Sequence, residues 1–298
     1  MIGKMLVPLD GSEAAEAILP YVERIATATN ASVLLLAAVD RPRDWGTYTD
    51  RDLKGERHEA ESYLRELQAR LTSATGNDVE AEVVTSPPAE AVLAAADRTH
   101  PDLIAMTTHG RSGVSRWILG SVAAKVLHAT HTPMLVVRPP TEGKQGDPPD
   151  LTRVLVPLDG SELSASVLPF ALDLAKPLGA SIVLFHAVVE PVLTYPGAET
   201  MPLDPRVFEE LKSSARDFLT SAADDLAAKG VKADTVVSVG NATDGIVWAA
   251  ERESAGLIVM STHGRSGVGR WVMGSVADAV VRRTSLPVAI VRPATNNP

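Results

Sequence analysis

The chain has 298 residues, of which 45% are hydrophobic and 22% are charged, and its formal net charge is −9. This balance is typical of a folded globular protein and excludes a disordered one, while an acidic chain without a basic stripe is a poor candidate for nucleic-acid binding. The sequence contains no cysteine, which excludes disulfides, thiolate metal sites and cysteine nucleophiles. It also has no apolar run long enough to span a membrane and no signal-peptide pattern at its start, so we expect a cytoplasmic protein.

The first half of the chain alternates short apolar runs with longer amphipathic stretches. Ser12 follows the first run and is a predicted helix N-cap, because its hydroxyl can accept a hydrogen bond from an early helical N–H group. Several runs are almost unbroken by polar residues, as is typical of strands buried in a parallel sheet. The predicted strands are residues 4–9, 32–39, 79–85, 103–107 and 134–138, and the predicted helices are residues 14–25, 53–71, 88–98 and 120–129.

The second half of the chain repeats the first. Residues 6–13 and 155–162 both have the sequence LVPLDGSE, and residues 108–123 and 262–277 are identical at thirteen of sixteen positions. The predicted strands of the second copy are residues 153–158, 181–188, 232–239, 256–260 and 288–292, and its predicted helices are residues 164–176, 204–229, 242–252 and 274–283. A segment rich in proline and glycine separates the copies, as is typical of a linker. We therefore predict domains at residues 1–140 and 152–298, joined by a linker at residues 141–151.

The regular alternation of strands and helices predicts an α/β fold with two tandem doubly wound domains, each built on a five-stranded parallel sheet. In such sheets a ligand binds beyond the carboxyl ends of the strands, where the winding direction reverses. In each copy this places the candidate site in the loops that follow the first and fourth strands. Those loops begin at Asp10 and Thr107 in the first copy and at Asp159 and Ser261 in the second.

The loop after the fourth strand has the features of an anion site. Gly110 and Gly113 allow the backbone to approach a ligand closely, and the helix that begins at Gly120-Ser121 offers N–H donors and a partial positive charge. Arg111 or Arg116 would pair with phosphate oxygens. The loop is neither a Walker A sequence nor the Gly-x-Gly-x-x-Gly fingerprint of dinucleotide-binding folds.

This pattern resembles the universal stress protein family. ATP-binding members of that family carry Gly-x2-Gly-x9-Gly-Ser/Thr after the fourth strand, and its last three positions match Gly110 with Gly120-Ser121 and Gly264 with Gly274-Ser275. The Pro-x-Asp ending of the first strand and the Pro-x-x-x-Val-Arg sequence at the last strand also match in both copies. The resemblance therefore covers nearly the whole chain, twice.

The resemblance implies a Rossmann-like, adenine-nucleotide alpha hydrolase-like fold that binds ATP with Mg²⁺ at up to two sites. One departure is that Thr107 and Ser261 replace the first glycine of the family pattern, where a side chain would crowd the ribose or the pyrophosphate. Mg²⁺ would bridge phosphate oxygens, and Asp10 and Asp159 would face the ion or the adenosine. The implied ATP-binding residues of the first copy are Pro8, Asp10, Ala38, Met106, Thr107, His109, Gly110, Arg111, Gly120, Ser121 and Val122, and those of the second copy are Pro157, Asp159, Ala187, Met260, Ser261, His263, Gly264, Arg265, Gly274, Ser275 and Val276.

The resemblance also implies a role for each part of the site. The backbone at Ala38 and Ala187 would contact adenine, Gly110 and Gly264 would line the ribose and phosphates, and the following helix start would hold the phosphates. Beyond these contacts, no pair of histidines or carboxylates lies at metal-ligand spacing in the loops, so we expect no metal held by protein ligands alone.

Several of these residues have a structural interpretation beside the functional one. The two aspartates that end the first strands precede Gly-Ser and would equally begin a turn. His109 and His263 would act as ligand contacts, as general bases or as hydrogen-bonded loop residues, and Arg111 and Arg265 would meet phosphate or solvent. Purely structural positions are expected at Trp117 and Trp271 in the core or an interface, at His186 in a strand, and at residues 56–59 on a solvated helix face.

Three functions are compatible with the sequence. The first is an ATP-binding stress protein that acts as a nucleotide-responsive regulatory module, with at most slow ATP hydrolysis and no assigned catalytic residue. The second is a nucleotide hydrolase or ATP pyrophosphatase of the same fold, although the loop after the first strand lacks the Ser-Gly-Gly-x-Asp-Ser sequence of ATP pyrophosphatases. The third is a nucleotide-free protein that binds a protein partner.

The last strand of each copy suggests how the copies associate. Residues 133–138 and 287–292 are apolar and would form edge strands, which can pair with another strand. The resemblance implies that these strands pair across the dimer of single-domain members. Because the linker tethers the copies, we expect an intramolecular pseudo-dimer, with further pairing of whole chains as a weaker option.

Overall fold

The computed structural model describes residues 1–40, 50–109, 119–139, 150–189, 192–193, 201–202, 205–262 and 273–292. The chain divides into two compact units. Unit 1 comprises Met1–Pro149, Arg270–Val272 and Ser285–Arg292, and unit 2 comprises Asp150–Gly269, Met273–Thr284 and Pro293–Pro298.

Unit 1 contains a doubly wound sheet of parallel strands in the order β3-β2-β1-β4-β5. The order reverses between β1 and β4, which is the switch point predicted from the sequence. Its strands are β1 Lys4–Leu9, β2 Ser32–Val39, β3 Val79–Thr85, β4 Leu103–Thr107 and β5 Met134–Val137. Its helices are α1 Glu13–Glu16, α2 Leu19–Thr29, α3 Asp50–Thr75, α4 Pro88–Thr99 and α5 Ser121–Ala129.

The segment predicted as one helix at residues 14–25 is two helices. Ser12 caps α1 as predicted, since its Oγ accepts a hydrogen bond from the Ala15 N–H at 3.1 Å. The helix nevertheless ends at Glu16, and α2 begins at Leu19 with Pro20 in its first turn. Proline has no N–H to donate to a preceding turn and is favoured at the start of a helix, so it restarts the helix here.

The central strands of unit 1 form its core. Every residue of β4 and β5 is buried, and in β2 only Ser32 and Ala38 are partly exposed. Helices cover both faces of a parallel sheet, which explains why these strands have nearly continuous apolar sequences.

Unit 2 repeats this arrangement with parallel strands in the order β10-β7-β6-β11. Its strands are β6 Arg153–Pro157, β7 Ser181–Val188, β8 Val192–Leu193, β9 Met201–Pro202, β10 Ala233–Val239 and β11 Leu257–Ser261. Its helices are α6 Glu162–Ala165, α7 Leu168–Leu178, α8 Pro205–Ala228, α9 Ala242–Arg252 and α10 Ser275–Arg283. The strands β8 and β9 form a two-residue antiparallel pair that the sequence did not predict.

The final strand, β12 at Val288–Val291, belongs to unit 1. It pairs antiparallel with β5, with Val288 opposite Val136 and Ile290 opposite Met134. The predicted pairing of the two last strands is therefore present. The sheet of unit 1 therefore contains the five parallel strands predicted for the first domain and, next to β5, the antiparallel strand β12.

No described helix of the chain combines the length and the apolar character that crossing a bilayer requires.

Candidate functional site

A cavity of about 700 Å³ lies at the carboxyl edge of the sheet in unit 1. Its volume is in the range of small-molecule binding sites. The lining comes from the ends of β1, β2 and β4, from α3 and α4, and from the start of α5. The cavity thus lies at the switch point, where the sequence predicted the site.

The structure brings the predicted residues of the first copy together. All those that it describes line this one cavity, namely Pro8, Asp10, Ala38, Met106, Thr107, His109, Gly120, Ser121 and Val122. Gly110 and Arg111 lie outside the described residues, as does Trp117. The contact of each residue with ATP stays a prediction.

Asp10 has the turn role that the sequence left open. Its Oδ1 accepts hydrogen bonds from the Ser12 N–H at 3.0 Å and from the Ser12 hydroxyl at 2.6 Å. Asp159 binds Ser161 in the same way, at 3.0 and 2.6 Å. Because Asp10 also lines the cavity, the turn holds a carboxylate at the cavity wall.

The end of β4 is held by one hydrogen bond within its own loop and by one to β5. The Thr107 hydroxyl donates to the carbonyl oxygen of His109 at 2.8 Å, and the Thr108 N–H donates to the Val137 carbonyl at 2.8 Å. Thr107 is buried. The hydroxyl at the position of the missing family glycine therefore stabilises the loop conformation.

The imidazole of His109 has a lowered pKa. Burial lowers the pKa of its imidazole, and the positive charge of Arg138 lowers it further. Its Nδ1 lies 3.0 Å from Oγ1 of Thr108. The imidazole is therefore a polar group in the cavity wall whose charged form is disfavoured.

The start of α5 presents backbone donors to the cavity. The first intrahelical bond of α5 runs from the Ala124 N–H to the Gly120 carbonyl at 2.9 Å, so the N–H groups of Ser121, Val122 and Ala123 precede it. All three residues line the cavity. A helix start of this kind stabilises an anion through its free donors and its dipole.

The cavity also has a lining that the sequence analysis missed. Pro88, Val92 and Tyr63 line it, and burial raises the pKa of the Tyr63 phenol, with a smaller effect from the Glu16 carboxylate. Tyr63 precedes Leu64 on the buried face of α3, which is the signal that could have found it. That signal does not distinguish a core position from a cavity wall, because both face the sheet.

Several carboxylates surround the cavity. Glu56 and Glu59 are exposed, as the sequence predicted, but they also lie on its lining together with Asp10 and Asp40. Among the described residues no group of three or more acidic, histidine or cysteine side chains is arranged to hold a metal ion.

Most of the predicted residues of the second copy lie in corresponding places in unit 2. Those at the strand ends or in the following turn are Pro157, Asp159, Ala187, Met260 and Ser261, and those at the start of α10 are Gly274, Ser275 and Val276. The Gly274 N–H donates to the Thr262 carbonyl at 2.8 Å, as the Gly120 N–H does to Thr108 at 2.7 Å. His263, Gly264, Arg265 and Trp271 lie outside the part of the chain that is described.

The sequence model of the universal stress protein family matches residues 1–138 and again residues 151–292. The chain belongs to the universal stress protein family. Two matches in one chain account for the repeated LVPLDGSE motif and for the similar sheets of the two units.

Relatives of this universal stress protein include single-domain and double-length chains. Universal stress protein YxiE of Bacillus subtilis is 32% identical over 145 residues, which is 47% of this chain and 98% of that protein. A universal stress protein of Mycolicibacterium smegmatis is 23% identical over 296 residues and covers 97% of both chains. The crystal structure of a universal stress protein from Archaeoglobus fulgidus superposes with a TM-score of 0.72 at 21% identity, covering 97% of this chain and 98% of that chain, so the fold is shared.

Proposed function

We propose that this universal stress protein binds ATP with Mg²⁺ in the cavity of unit 1 and acts as a nucleotide-responsive regulatory module. The observation that carries the proposal is one cavity that joins the free donors of a helix start to a buried apolar wall. A nucleotide needs both features, since its phosphates are anionic and its base is flat and weakly polar.

The start of α5 is the phosphate end of this site. The N–H groups of Ser121, Val122 and Ala123 and the Ser121 hydroxyl are donors for phosphate oxygens. Ser121 is exposed, so its hydroxyl and N–H are accessible to a ligand.

The end of β2 is the base end. Leu36, Ala37, Val39 and Val92 are buried and line the cavity there, beside the backbone at Ala38. Apolar side chains with a few backbone donors and acceptors are the usual surroundings of a bound base.

The charge around the cavity favours a nucleotide bound with its cation. ATP would bring several negative charges towards Asp10, Asp40, Glu56 and Glu59, which would repel it. Mg²⁺ bound with the nucleotide would neutralise part of this charge, and Asp10 is the carboxylate whose position supports contact with it. The proposed ion would be held mainly by phosphate oxygens.

At most slow ATP hydrolysis is part of the proposal. Nδ1 of His109 lies 3.0 Å from Oγ1 of Thr108, an arrangement that supports a structural role for the imidazole in the cavity wall. Phosphate release measured on the purified chain should fall well below about 1 per second, the lower end of ordinary enzyme turnover.

Calorimetric titration of the full-length chain with ATP and Mg²⁺ tests the binding site. The variant Ser121→Glu places a carboxylate at the proposed phosphate end, and we expect it to weaken ATP binding by at least about tenfold through charge repulsion. An acidic residue is well tolerated in the first turn of a helix, so the variant should keep its fold.

The matched control is Ser73→Glu, which makes the same change at an exposed position of α3. Ser73 lies about 20 Å further along the helix than Glu59, because each residue adds about 1.5 Å. We expect Ser73→Glu to bind like the parent chain. The absence of ATP binding by the parent at millimolar nucleotide, or equal affinity in Ser121→Glu, would contradict the proposal.

A further inference from the structure

The two copies place different side chains at the same strand position. In unit 1 the β1–β2 pairing sets Pro8 opposite Leu36, and in unit 2 the β6–β7 pairing sets Pro157 opposite Phe185. Both first strands come from the repeated LVPLDGSE motif, so Phe185 occupies the position of Leu36. The next residue along is Ala37 in unit 1 and His186 in unit 2.

The extra volume of Phe185 is accommodated within the core of unit 2. Phe185 is fully buried, and a Cβ built on Gly245 of α9 would lie 2.8 Å from its Cζ. The corresponding residues of unit 1 are Ala91 in α4 and the smaller Leu36 in β2. The absence of a side chain at Gly245 therefore makes room for the phenyl ring.

His186 is the residue that changes the base end. Ala37 lines the cavity of unit 1 with no more than a methyl group. His186 puts an imidazole ring at that position, on the opposite face of the strand from Phe185 because side chains alternate. It is only 7% exposed, and its Nδ1 is shielded from solvent. The ring therefore adds buried volume where unit 1 has free space.

The rim of the site also differs between the two copies. Asp40 follows β2 in unit 1, whereas Val189 follows β7 in unit 2 and is 62% exposed. The buried leucines 64, 67 and 71 of α3 have the same spacing as the buried residues 219, 222 and 226 of α8. That register puts Leu211, which is 40% exposed, at the position of Glu56. Two acidic rim residues of unit 1, Asp40 and Glu56, therefore correspond to apolar residues in unit 2, whereas Asp10 corresponds to Asp159. Fewer carboxylates would repel a nucleotide less, so the rim does not account for a closed site in unit 2.

We propose that the residue at the Ala37/His186 position decides which copy accepts a nucleotide, so that the chain binds one ATP, in unit 1, while His186 closes the base end in unit 2. This inference rests on the proposed ATP binding. It assigns a specificity-determining role to a residue that the sequence analysis interpreted as structural.

Calorimetric stoichiometry of the full-length chain with ATP and Mg²⁺ tests the inference. We expect one site per parent chain, and we expect Ser121→Glu to remove it. Two sites in the parent, or a single site that survives in Ser121→Glu, would overturn the inference. No binding at all by the parent would instead overturn the proposed function, so the two failures are distinguishable.

Two reciprocal variants test the position itself. His186→Ala should create a second site, which adding Ser275→Glu removes again, and Ala37→His should weaken the unit 1 site by at least about tenfold. Thermal unfolding of each variant establishes that it is folded before titration. A folded His186→Ala chain that still binds one ATP, or a folded Ala37→His chain with parental affinity, would overturn the role of this position.

Discussion

The backbone N–H of Gly120 donates to the carbonyl oxygen of Thr108 at 2.7 Å, and a Cβ built on Gly120 would lie 2.5 Å from that same oxygen. The glycine is therefore required by the approach of the helix start to the end of β4. Its φ of −57° is open to any residue, so contact and not backbone strain demands glycine here.

We expect Gly120→Ala to lower the free energy of unfolding by about 1–3 kcal/mol, because the new methyl group forces the loop away from Thr108. Gly55→Ala is the matched control, since nothing lies within 4 Å of a Cβ at Gly55 in α3. Alanine should stabilise that helix by roughly 0.5–1 kcal/mol. Urea unfolding of both variants measures these two changes. A free energy of unfolding in Gly120→Ala equal to that of the parent would contradict the close contact with Thr108.

The contact between Phe185 and Gly245 predicts a strong coupling. Gly245→Ala sets a methyl group 2.8 Å from Phe185 Cζ and from Ser238 Oγ, so we expect a loss of about 1–3 kcal/mol in the free energy of unfolding. Phe185→Leu alone should also destabilise the chain, because it leaves a void beside Gly245.

The double variant Phe185→Leu with Gly245→Ala has the residues that unit 1 carries at these positions, Leu36 and Ala91. We expect its free energy of unfolding to fall by less than the sum of the losses in the two single variants. A double-mutant cycle measured by urea unfolding gives the coupling energy directly. If the two losses simply added, the phenyl ring of Phe185 and a methyl group at position 245 would not be in contact, which would contradict the structure.

Arg292 connects the segment after β12 to the end of α5 within unit 1. Its guanidinium donates to the carbonyl oxygen of Thr130 at 2.9 Å and to that of His128 at 3.1 Å, at the end of α5. A cation at a helix C-terminus is favourable, and hydrogen bonds from charged groups are stronger than neutral ones.

We expect Arg292→Ala to lower the free energy of unfolding by roughly 1–2 kcal/mol, the lower part of the range for charged hydrogen bonds because the side chain is partly exposed. Hydrogen exchange should also become faster at the amides of β12. Unchanged exchange in β12 would contradict the idea that Arg292 secures this strand.

The lowered pKa of His109 predicts a pH dependence of stability. The unfolded chain takes up a proton near the ordinary value of 6.5, while the folded chain takes it up only at lower pH. The neutral His109 therefore contributes its full share to the free energy of unfolding above about pH 6.5. That contribution is lost as the pH falls from the unfolded pKa through the lower folded pKa.

Urea unfolding at pH 7.5 and at pH 5 measures how much the free energy of unfolding falls with pH. We expect this fall to be larger for the parent chain than for His109→Gln. An NMR titration of the imidazole should place its midpoint below 6.5. Equal losses in both chains, or a midpoint above that value, would contradict the burial of the ring.

The local pattern of the sequence was enough to predict most of the fold. The buried strands at 103–107 and 32–39 have the bounds that their apolar runs predicted, because side chains buried on both faces leave a continuous apolar signature. The loops at the switch point were also predicted, and the described residues 8, 10, 107, 109 and 120 do line one cavity. The alternation of strands and helices and the cap at Ser12 follow from short-range rules that one sequence contains.

Contacts between distant segments were decided only by the tertiary structure. Whether Tyr63 faces the core or the cavity depends on how α3 lies over the sheet, and the place of β12 in unit 1 depends on its pairing with β5. The need for glycine at 120 comes from the carbonyl of Thr108, twelve positions earlier, and not from a glycine-only backbone angle. Periodicity reports which side of an element is buried, but the identity of the neighbour on that side is set by packing between elements that are far apart in the chain.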